Sequence, residues 1–377
     1  MPEPQQLLQL LRERPPGYGG VERVAHELAQ RYGGITLSLV PPGATADPLP
    51  VDYERCSWWV LPLARLRLPL PTPEPLKLLW PSHRALLLHL PCPSIVLLGW
   101  LVRLLQPRRE IHIYWHAFLD RRRWWFRAYE FLAQGLARQA STVISTSPQL
   151  LQLLALEQIQ GDSLLLLPPA LPERLETSLL QVSPPSPEPS LQVLCLGRLD
   201  SYKRQDWLIQ AIASVPEARL TILGTGPNQA RLEQLGDQLG LMASGRLSFL
   251  GRVSEQAKRE ALAQAQVLVL PADSCHEAFG IVQLEAMAAG RPALCMQQTR
   301  SGTAWVNGLQ LPPHHPCRTL ADLIAVLQRL SLDSSLLREC GHQARQRYQH
   351  EFSRIRWHRR CQALEQRLGL RPSPPCE

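Results

Sequence analysis

Two glutamates, Glu277 and Glu285, stand either side of a Phe279-Gly280-Ile281 break in the stretch 276–294, "HEAFGIVQLEAMAAGRPAL". Ile281, Val282, Leu284 and Met287 are spaced as on one helix, and Gly290 supplies a stop. Glu277 therefore belongs to the loop before a helix, and Glu285 lies about one to two turns inside it. The Phe279-Gly280-Ile281 amides at such a helix start are unpaired and lie at the positive end of the dipole, so they attract an anion. Two carboxylates flanking that start can grip hydroxyls on either side of a phosphate. A nucleotide sugar, with ribose, diphosphate and hexose in line, has that layout. The plainer reading makes Glu277 a helix cap and Glu285 a residue of the solvent face.

A second group lies upstream in "CLGRLDSYKRQ", where an apolar run ends in Gly197 and Arg198, with Lys203 close to the next helix start. Two cations around a glycine turn at a helix N-terminus form a site for a diphosphate. "LGTGPNQ" adds Gly224 and Gly226 at another strand end, where a ligand can approach the backbone. It lacks the third glycine and the acidic partner of a dinucleotide fingerprint.

These residues need strands to carry them. From residue 191 onward, "LQVLCLG", "RLTILGTG", "RLSFLG", "QVLVLP" and "RPALCM" are short apolar runs with helical stretches between them. That alternation means βα units and a parallel, doubly wound sheet, whose ligands bind at the carboxyl ends of its strands. The first half repeats the theme with more prolines. "ITLSLV", "SIVLLG", "EIHIYWH" and "STVISTS" read as strands, and "GVERVAHELAQRY" and "RWWFRAYEFLAQGLARQ" as helices. The expected organisation is a Rossmann-like domain over 1–167, a Pro/Ser-rich linker over 168–190 and a second Rossmann-like domain over 191–345. A polar helix over 346–370, expected to pack back on the first domain, and a tail over 371–377 follow, with the two domains facing across a cleft.

Composition limits the alternatives. The 377 residues are 45% hydrophobic and 19% charged, which is globular rather than disordered. Nine scattered cysteines, an odd number without a C-x-x-C pair, read as reduced thiols of a cytoplasmic protein and not as a zinc site or disulfide framework. His314-His315 has no third ligand at a metal-binding spacing, so no metal site is read. The N-terminus has no signal-peptide pattern, and the apolar stretch 86–105 is broken by prolines and reads as buried strand and helix. Net charge is +8, yet residues 55–127 hold twelve Lys and Arg against three acids, and "SWWVLPLARLRLPLP" and "RRRWWFRAYE" lie within them. Basic residues beside Trp and Phe suit an anionic membrane surface or a phosphate-bearing acceptor. A solvated basic face over core tryptophans is the bland alternative. No nucleic-acid motif accompanies the charge.

"GRLDSYK", "GTGP", "FLGRVS", "VLVLPADSCHEAFGIVQLEAMAAGRPAL" and "NGLQLPP" together resemble, in that order, the group 1 family of retaining glycosyltransferases with the GT-B fold, whose mark is this E-x7-E motif. Glycogen synthase-like and lipopolysaccharide sugar transferases belong to it. "GYGGVERVAHELAQRYGG", "YWHAFL" and "STVISTSPQL" extend the resemblance into the first half. It implies that Arg198 and Lys203 neutralise the leaving diphosphate, that Glu277 holds hydroxyls of the transferred sugar and that Glu285 holds the ribose. It places the Phe279-Gly280-Ile281 amides on phosphate and sugar, Gly19 and Gly20 against the diphosphate, and His116 near the anomeric carbon. Arg252 and Val253 fall where the base is held. The first strand, "QLLQLL", departs from the family by looking short or altered.

The resemblance implies transfer of a hexose from a UDP- or GDP-linked sugar, with retention, to a glycan or lipid-linked hydroxyl in cell-surface polysaccharide synthesis. No cofactor is expected. GT-A enzymes use a D-x-D motif and a metal, and no D-x-D occurs here, which favours metal-independent transfer. The expected location is the cytoplasm, peripheral on the inner face of the cell membrane. Two rivals stand beside this reading. One is a catalytically idle GT-B-like membrane-associated assembly protein, and the other a GT-B epimerase or phosphorylase.

Overall fold

A computed structural model describes residues 6–17, 19–42, 51–63, 66–80, 84–185 and 188–373. Parts of the basic stretch (64–65 and 81–83), of the linker stretch (186–187) and of the tail (374–377) lie outside the described residues. The chain divides into two compact units, Met1–Ala170 with Trp357–Glu377, and Leu171–Arg356.

In the first unit the elements run β1 (Gln6–Leu11), α1 (Gly20–Tyr32), β2 (Ile35–Val40), β3 (Glu54–Leu63), β4 (Leu66–Pro69), α2 (Pro73–Leu79) and β5 (Arg84–Leu90). They continue as α3 (Pro93–Leu105), β6 (Ile111–Trp115), α4 (Trp124–Ala137), β7 (Thr142–Ser145), α5 (Pro148–Leu156) and β8 (Leu164–Leu166). The sheet order is β4-β3-β2-β1-β5-β6-β7-β8, parallel except for the antiparallel β3–β4 pair. The central strands are buried on both faces, and β2 is buried at all six positions even though Thr36 and Ser38 alternate with its apolar residues.

Two expectations need correction. β1 is not a reduced strand; it is six residues long, as β2 is, and sits centrally, paired with β2 and β5. "SIVLLG" is not a strand but the body of α3, opened by Pro93 at the helix's first position. The neighbouring strand is the run before it, Arg84–Leu90.

The second unit holds α6 (Glu173–Leu180), β9 (Leu191–Leu196), α7 (Gln205–Ala213), β10 (Ala218–Leu223), α8 (Gln229–Gln238), β11 (Leu247–Gly251) and α9 (Glu255–Gln264). Then come β12 (Val267–Leu270), α10 (Ile281–Ala288), β13 (Ala293–Cys295), α11 (Thr303–Asn307), α12 (Leu320–Leu332) and α13 (Ser334–Arg347). Its five strands are parallel in the order β11-β10-β9-β12-β13. The stretch 168–190 is not a plain linker. Leu171 and Leu179, eight residues apart on and before α6, are buried in this unit's core beside Met287 and Tyr348. Glu176 in α6 accepts hydrogen bonds from Tyr348 Oη and from the Arg354 amide, each 2.9 Å.

The polar C-terminal stretch is two helices and not one. α13 passes into a π-helical turn, Tyr348–Phe352, and Ser353 is extended before α14 (Arg354–Leu368) begins. Trp357, Cys361, Leu364 and Leu368 of α14 belong to the first unit's core, with Leu7, Leu28 and Tyr114. Arg31 of α1 ties that helix down through Glu365 at 2.7 Å. Among the described residues no helix is long and apolar enough to cross a membrane.

Candidate active site

In the second unit β9 is flanked by β10 on one side and β12 on the other, so the winding reverses between β9 and β12. At such a switch point the two following loops run apart and leave a crevice at the strands' carboxyl ends. The loop after β9 carries Gly197, Arg198 and Lys203; the loop after β12 carries Glu277. The two loops meet there. Lys203 Nζ donates to Glu277 Oε2, and each side chain is only 14% exposed. A methyl group on Gly197 would lie 3.7 Å from Lys203 Nζ, so the ammonium sits over the end of β9. Burial is the largest single influence and works against the ammonium, but the Glu277 carboxylate, with Tyr202 and Cys195, holds the Lys203 pKa above its ordinary value.

A frame of polar contacts fixes both loops. The Asp273 amide donates to the Tyr202 carbonyl at 3.1 Å, and Arg204 pairs with Asp273 at 2.8 Å. The Arg204 guanidinium also stacks on Trp207, 3.8 Å from the ring centroid. On the far side, Ser301 Oγ donates to the Glu277 carbonyl at 2.6 Å and the Gly302 amide to the Ala278 carbonyl at 2.8 Å. None of Asp273, Arg204 and Ser301 stood out in the sequence, because their partners lie 69 and 24 residues away.

Gly280 caps α10 with φ +72°, a left-handed conformation that most side chains resist. Gly280 has no side chain with which to cap the helix; the Gln283 amide donates to the Gly280 carbonyl at 2.9 Å, and the amides before it can serve a ligand. Phe279 turns its ring into the core against Phe352, centroids 6.0 Å apart, so only its backbone can serve a bound group. Ile281 is the first residue of α10 and packs against the same core.

The other expected residues are placed differently. Arg198 is 74% exposed and pairs with Asp200 at 3.3 Å, so its guanidinium does not join the Lys203–Glu277 pair. Glu285 is 1% exposed and accepts from Lys258 Nζ of α9 at 3.1 Å. This carboxylate is thus already engaged by a lysine, which sets Lys258 beside Glu285. Sequence reading missed it, since nothing local ties it to a glutamate 27 residues on. Gly224 ends β10 with φ +136°, its amide donating to the Gly251 carbonyl at 2.7 Å. A side chain there would collide with the Gly197 backbone, so β9 and β10 end in close approach. Arg252 and Val253 follow the edge strand β11; Arg252 is exposed and Val253 half-buried against the core. His314 faces Asp322, whereas His315 is buried and accepts from the Cys295 amide, so the two histidines have separate partners.

In the first unit Gly19 and Gly20 are exposed where the loop after β1 enters α1, with Gly19 as its cap. His116 follows β6 and extends its ladder, its amide donating to the Leu90 carbonyl at 2.9 Å. Its ring lies flat on Tyr114, 4.2 Å between centroids and 1° between planes. His116 Nε2 is 2.9 Å from His89 Nδ1, and His89 Nε2 is 3.0 Å from Gln9 Oε1. Burial without a nearby acid pushes His89 down to about 3, and burial with His89 alongside holds His116 well below the usual imidazole range. Both shifts favour the neutral ring.

Residues 179–347, nearly the whole second unit, match the model of the family described as glycosyl transferases group 1. An uncharacterized glycosyltransferase of Methanocaldococcus jannaschii is 40% identical over 105 residues, 27% of this chain and 26% of that protein. A phosphatidyl-myo-inositol mannosyltransferase of Mycobacterium tuberculosis is 33% identical over 178 residues, 43% of this chain and 44% of that one. The chain thus matches less than half the length of either relative. Among solved structures, Anabaena HepE in complex with UDP superposes with a TM-score of 0.74 at 17% identity, over 96% of this chain and 100% of that one. A likeness of this extent shows the fold: two parallel-sheet α/β units of the GT-B kind.

Proposed function

We propose that the protein is a retaining, metal-independent glycosyltransferase moving a hexose from a nucleoside-diphosphate sugar to a hydroxyl of a glycan or lipid-linked acceptor. The observation that carries this reading is the Lys203–Glu277 pair at the switch point of the second sheet, beside the uncapped start of α10. It supplies a cation and free amides for a diphosphate, and a carboxylate for sugar hydroxyls, in one place. The group 1 match over the same residues supports it.

Transfer breaks the bond between C1 and the diphosphate oxygen, building positive charge on the ring and negative charge on the leaving group. Lys203, Arg198 and the α10 amides stabilise the departing diphosphate. The acceptor oxygen bonds C1 on the face the diphosphate leaves, and the acceptor proton passes to a leaving phosphate oxygen. Glu277 orients hydroxyls of the transferred sugar, Glu285 with Lys258 holds the ribose, and Gly224, Arg252 and Val253 line the nucleotide's approach. From the first unit, Gly19 and Gly20 contact the diphosphate and His116 a substrate hydroxyl.

For acceptor and location the first unit offers support. Its basic, Trp-rich surface suits a lipid-linked substrate at the inner face of the cell membrane, and the mycobacterial relative is named for a phosphatidylinositol acceptor. The test is thermal unfolding with UDP, GDP or ADP and with their sugars, with and without EDTA. A ligand present at about a hundred times its dissociation constant stabilises the folded state by about 2.7 kcal/mol. A shift with one nucleotide and its sugar, unchanged by EDTA, is expected; UDP is the first probe because the Anabaena neighbour was solved with it. No shift with any of them overturns the reading in favour of an idle scaffold.

A further inference from the structure

The three rings Tyr114, His89 and His116 share one face of the first sheet. β5 and β6 pair His89 with Tyr114, and β1 and β5 pair Gln9 with Leu87, so Gln9, His89 and His116 form a row across β1, β5 and β6. Gln9 and His89 are 1% and 2% exposed, and His116 7%. The row begins at α1, where Gln9 Nε2 lies 2.9 Å from the Ala25 carbonyl.

A backbone carbonyl can only accept a hydrogen bond, so the Gln9 amide nitrogen must face Ala25 and its oxygen must face His89. That oxygen in turn can only accept, so His89 carries its proton on Nε2. A neutral imidazole has a single N–H, which leaves His89 Nδ1 as a bare acceptor. His116 Nε2 then holds the donor of the third bond, and His116 Nδ1 keeps a lone pair. Nδ1 has no hydrogen-bond partner among the described residues. Every proton in the row is set by an acceptor-only group at its far end.

We infer that Gln9 and His89 are positioning residues: they lock His116 in the Nε2–H form so that its Nδ1 accepts a hydrogen bond from a substrate hydroxyl. This deepens the transferase reading and rests on it for the hydroxyl, but not for the proton positions. Stacking on Tyr114 holds the ring plane while the His89 bond sets its rotation, so orientation and tautomer are determined together. In the opposite tautomer His116 would set a lone pair against the His89 lone pair, and that contact would fail, while its Nδ1–H could only donate to the hydroxyl and not accept from it. Loss of the orienting partner of a catalytic histidine can cost orders of magnitude in rate.

Selective 15N-histidine labelling of the full chain tests the lock directly. Long-range proton–nitrogen correlation, assigned by the signal lost in His116→Asn, should show His116 protonated at Nε2 and unprotonated at Nδ1. Gln9→Met, which keeps the bulk and removes the acceptor, should mix the two tautomers. A His116 protonated at Nδ1 in the unaltered protein overturns the inference without any variant. Kinetics give the second arm. His89→Leu should lower kcat about tenfold or more, with donor KM within about threefold. His89→Gln, which can accept from His116 and donate to Gln9, should restore most of the loss. In a His116→Ala background His89→Leu should cost nothing further. Equal losses in both backgrounds would mean a packing role only. If no donor or transfer is ever found, the transferase reading fails while the tautomer result still stands.

Discussion

Lys203 and Glu277 occupy one another, each 14% exposed, so neither offers a bare charge in this state. A diphosphate arriving at the end of β9 offers Lys203 more negative charge than Glu277 does, and exchange would release the carboxylate for sugar hydroxyls. Two opposite effects follow from single substitutions. Lys203→Met removes a charge-assisted contact of about 1.5–3 kcal/mol, weakening nucleoside-diphosphate binding roughly 10- to 100-fold. Glu277→Gln frees the lysine and should leave that affinity unchanged or tighter, while transfer falls by about a hundredfold or more. Titration calorimetry with the nucleotide, beside a transfer assay, separates the two. Weaker nucleotide binding in Glu277→Gln would refute the exchange.

Elements decide whether such residues meet. α10 starts where it does because Gly280 takes a left-handed turn between Leu270 and Gln283, both of which a side chain at 280 would strike. Gly245 has a similar φ of +66° with open space around it. Gly245→Ala should therefore pay only the left-handed penalty of about 1–2 kcal/mol, and Gly280→Ala that plus a collision. The melting temperature should fall further for Gly280→Ala, and only that variant should lose its nucleotide-induced shift. Equal melting losses would mean the α10 start tolerates a side chain.

Much of this element map was legible in the sequence because the second half alternates short apolar runs with amphipathic stretches, so β9 to β13 and α10 stand out. Legibility failed where a pattern has two solutions. "SIVLLG" is as apolar as a buried strand, and only Pro93 before it and its thirteen-residue length as α3 mark it as a helix. The prolines around 168–190 suggested a linker, while Leu171 and Leu179 at helical spacing carried the opposite message. Within the sites, Glu277 and Lys203 were found through their loops. Lys258, Gln9 and His89 were not, because each has its partner 27 or 80 residues away, brought near by helix packing in the first case and by strand register in the other two.

At the scale of the whole molecule, charge and apolar surface are distributed unevenly. α3 and α4 lie side by side in the first unit, with Trp100 Nε1 donating to the Leu132 carbonyl at 3.1 Å. Leu97, Leu101, Leu104 and Leu105 line the outer side of α3, and Trp124, Phe131 and Leu132 that of α4, all exposed. Arg108, Arg122, Arg123 and Arg127 are exposed around them. Lone exposed apolar residues need no account, but repeated ones on two adjacent helices ringed by arginines fit an anionic bilayer, into which Leu and Trp insert while guanidinium groups meet the headgroups. Each basic side chain near such a surface adds about 1 kcal/mol, and screening by salt should weaken it. Sedimentation with phosphatidylserine vesicles should carry the protein down at low salt and release most of it at high salt, with little binding to neutral vesicles. Replacing Trp124 and Phe131, at 70% exposure each, with Ser should reduce binding at both salts and leave transfer to a soluble acceptor intact. Protein that stays in the supernatant with anionic vesicles at low salt would mean that this surface serves a soluble partner or none, and that the acceptor reaches the enzyme without the membrane.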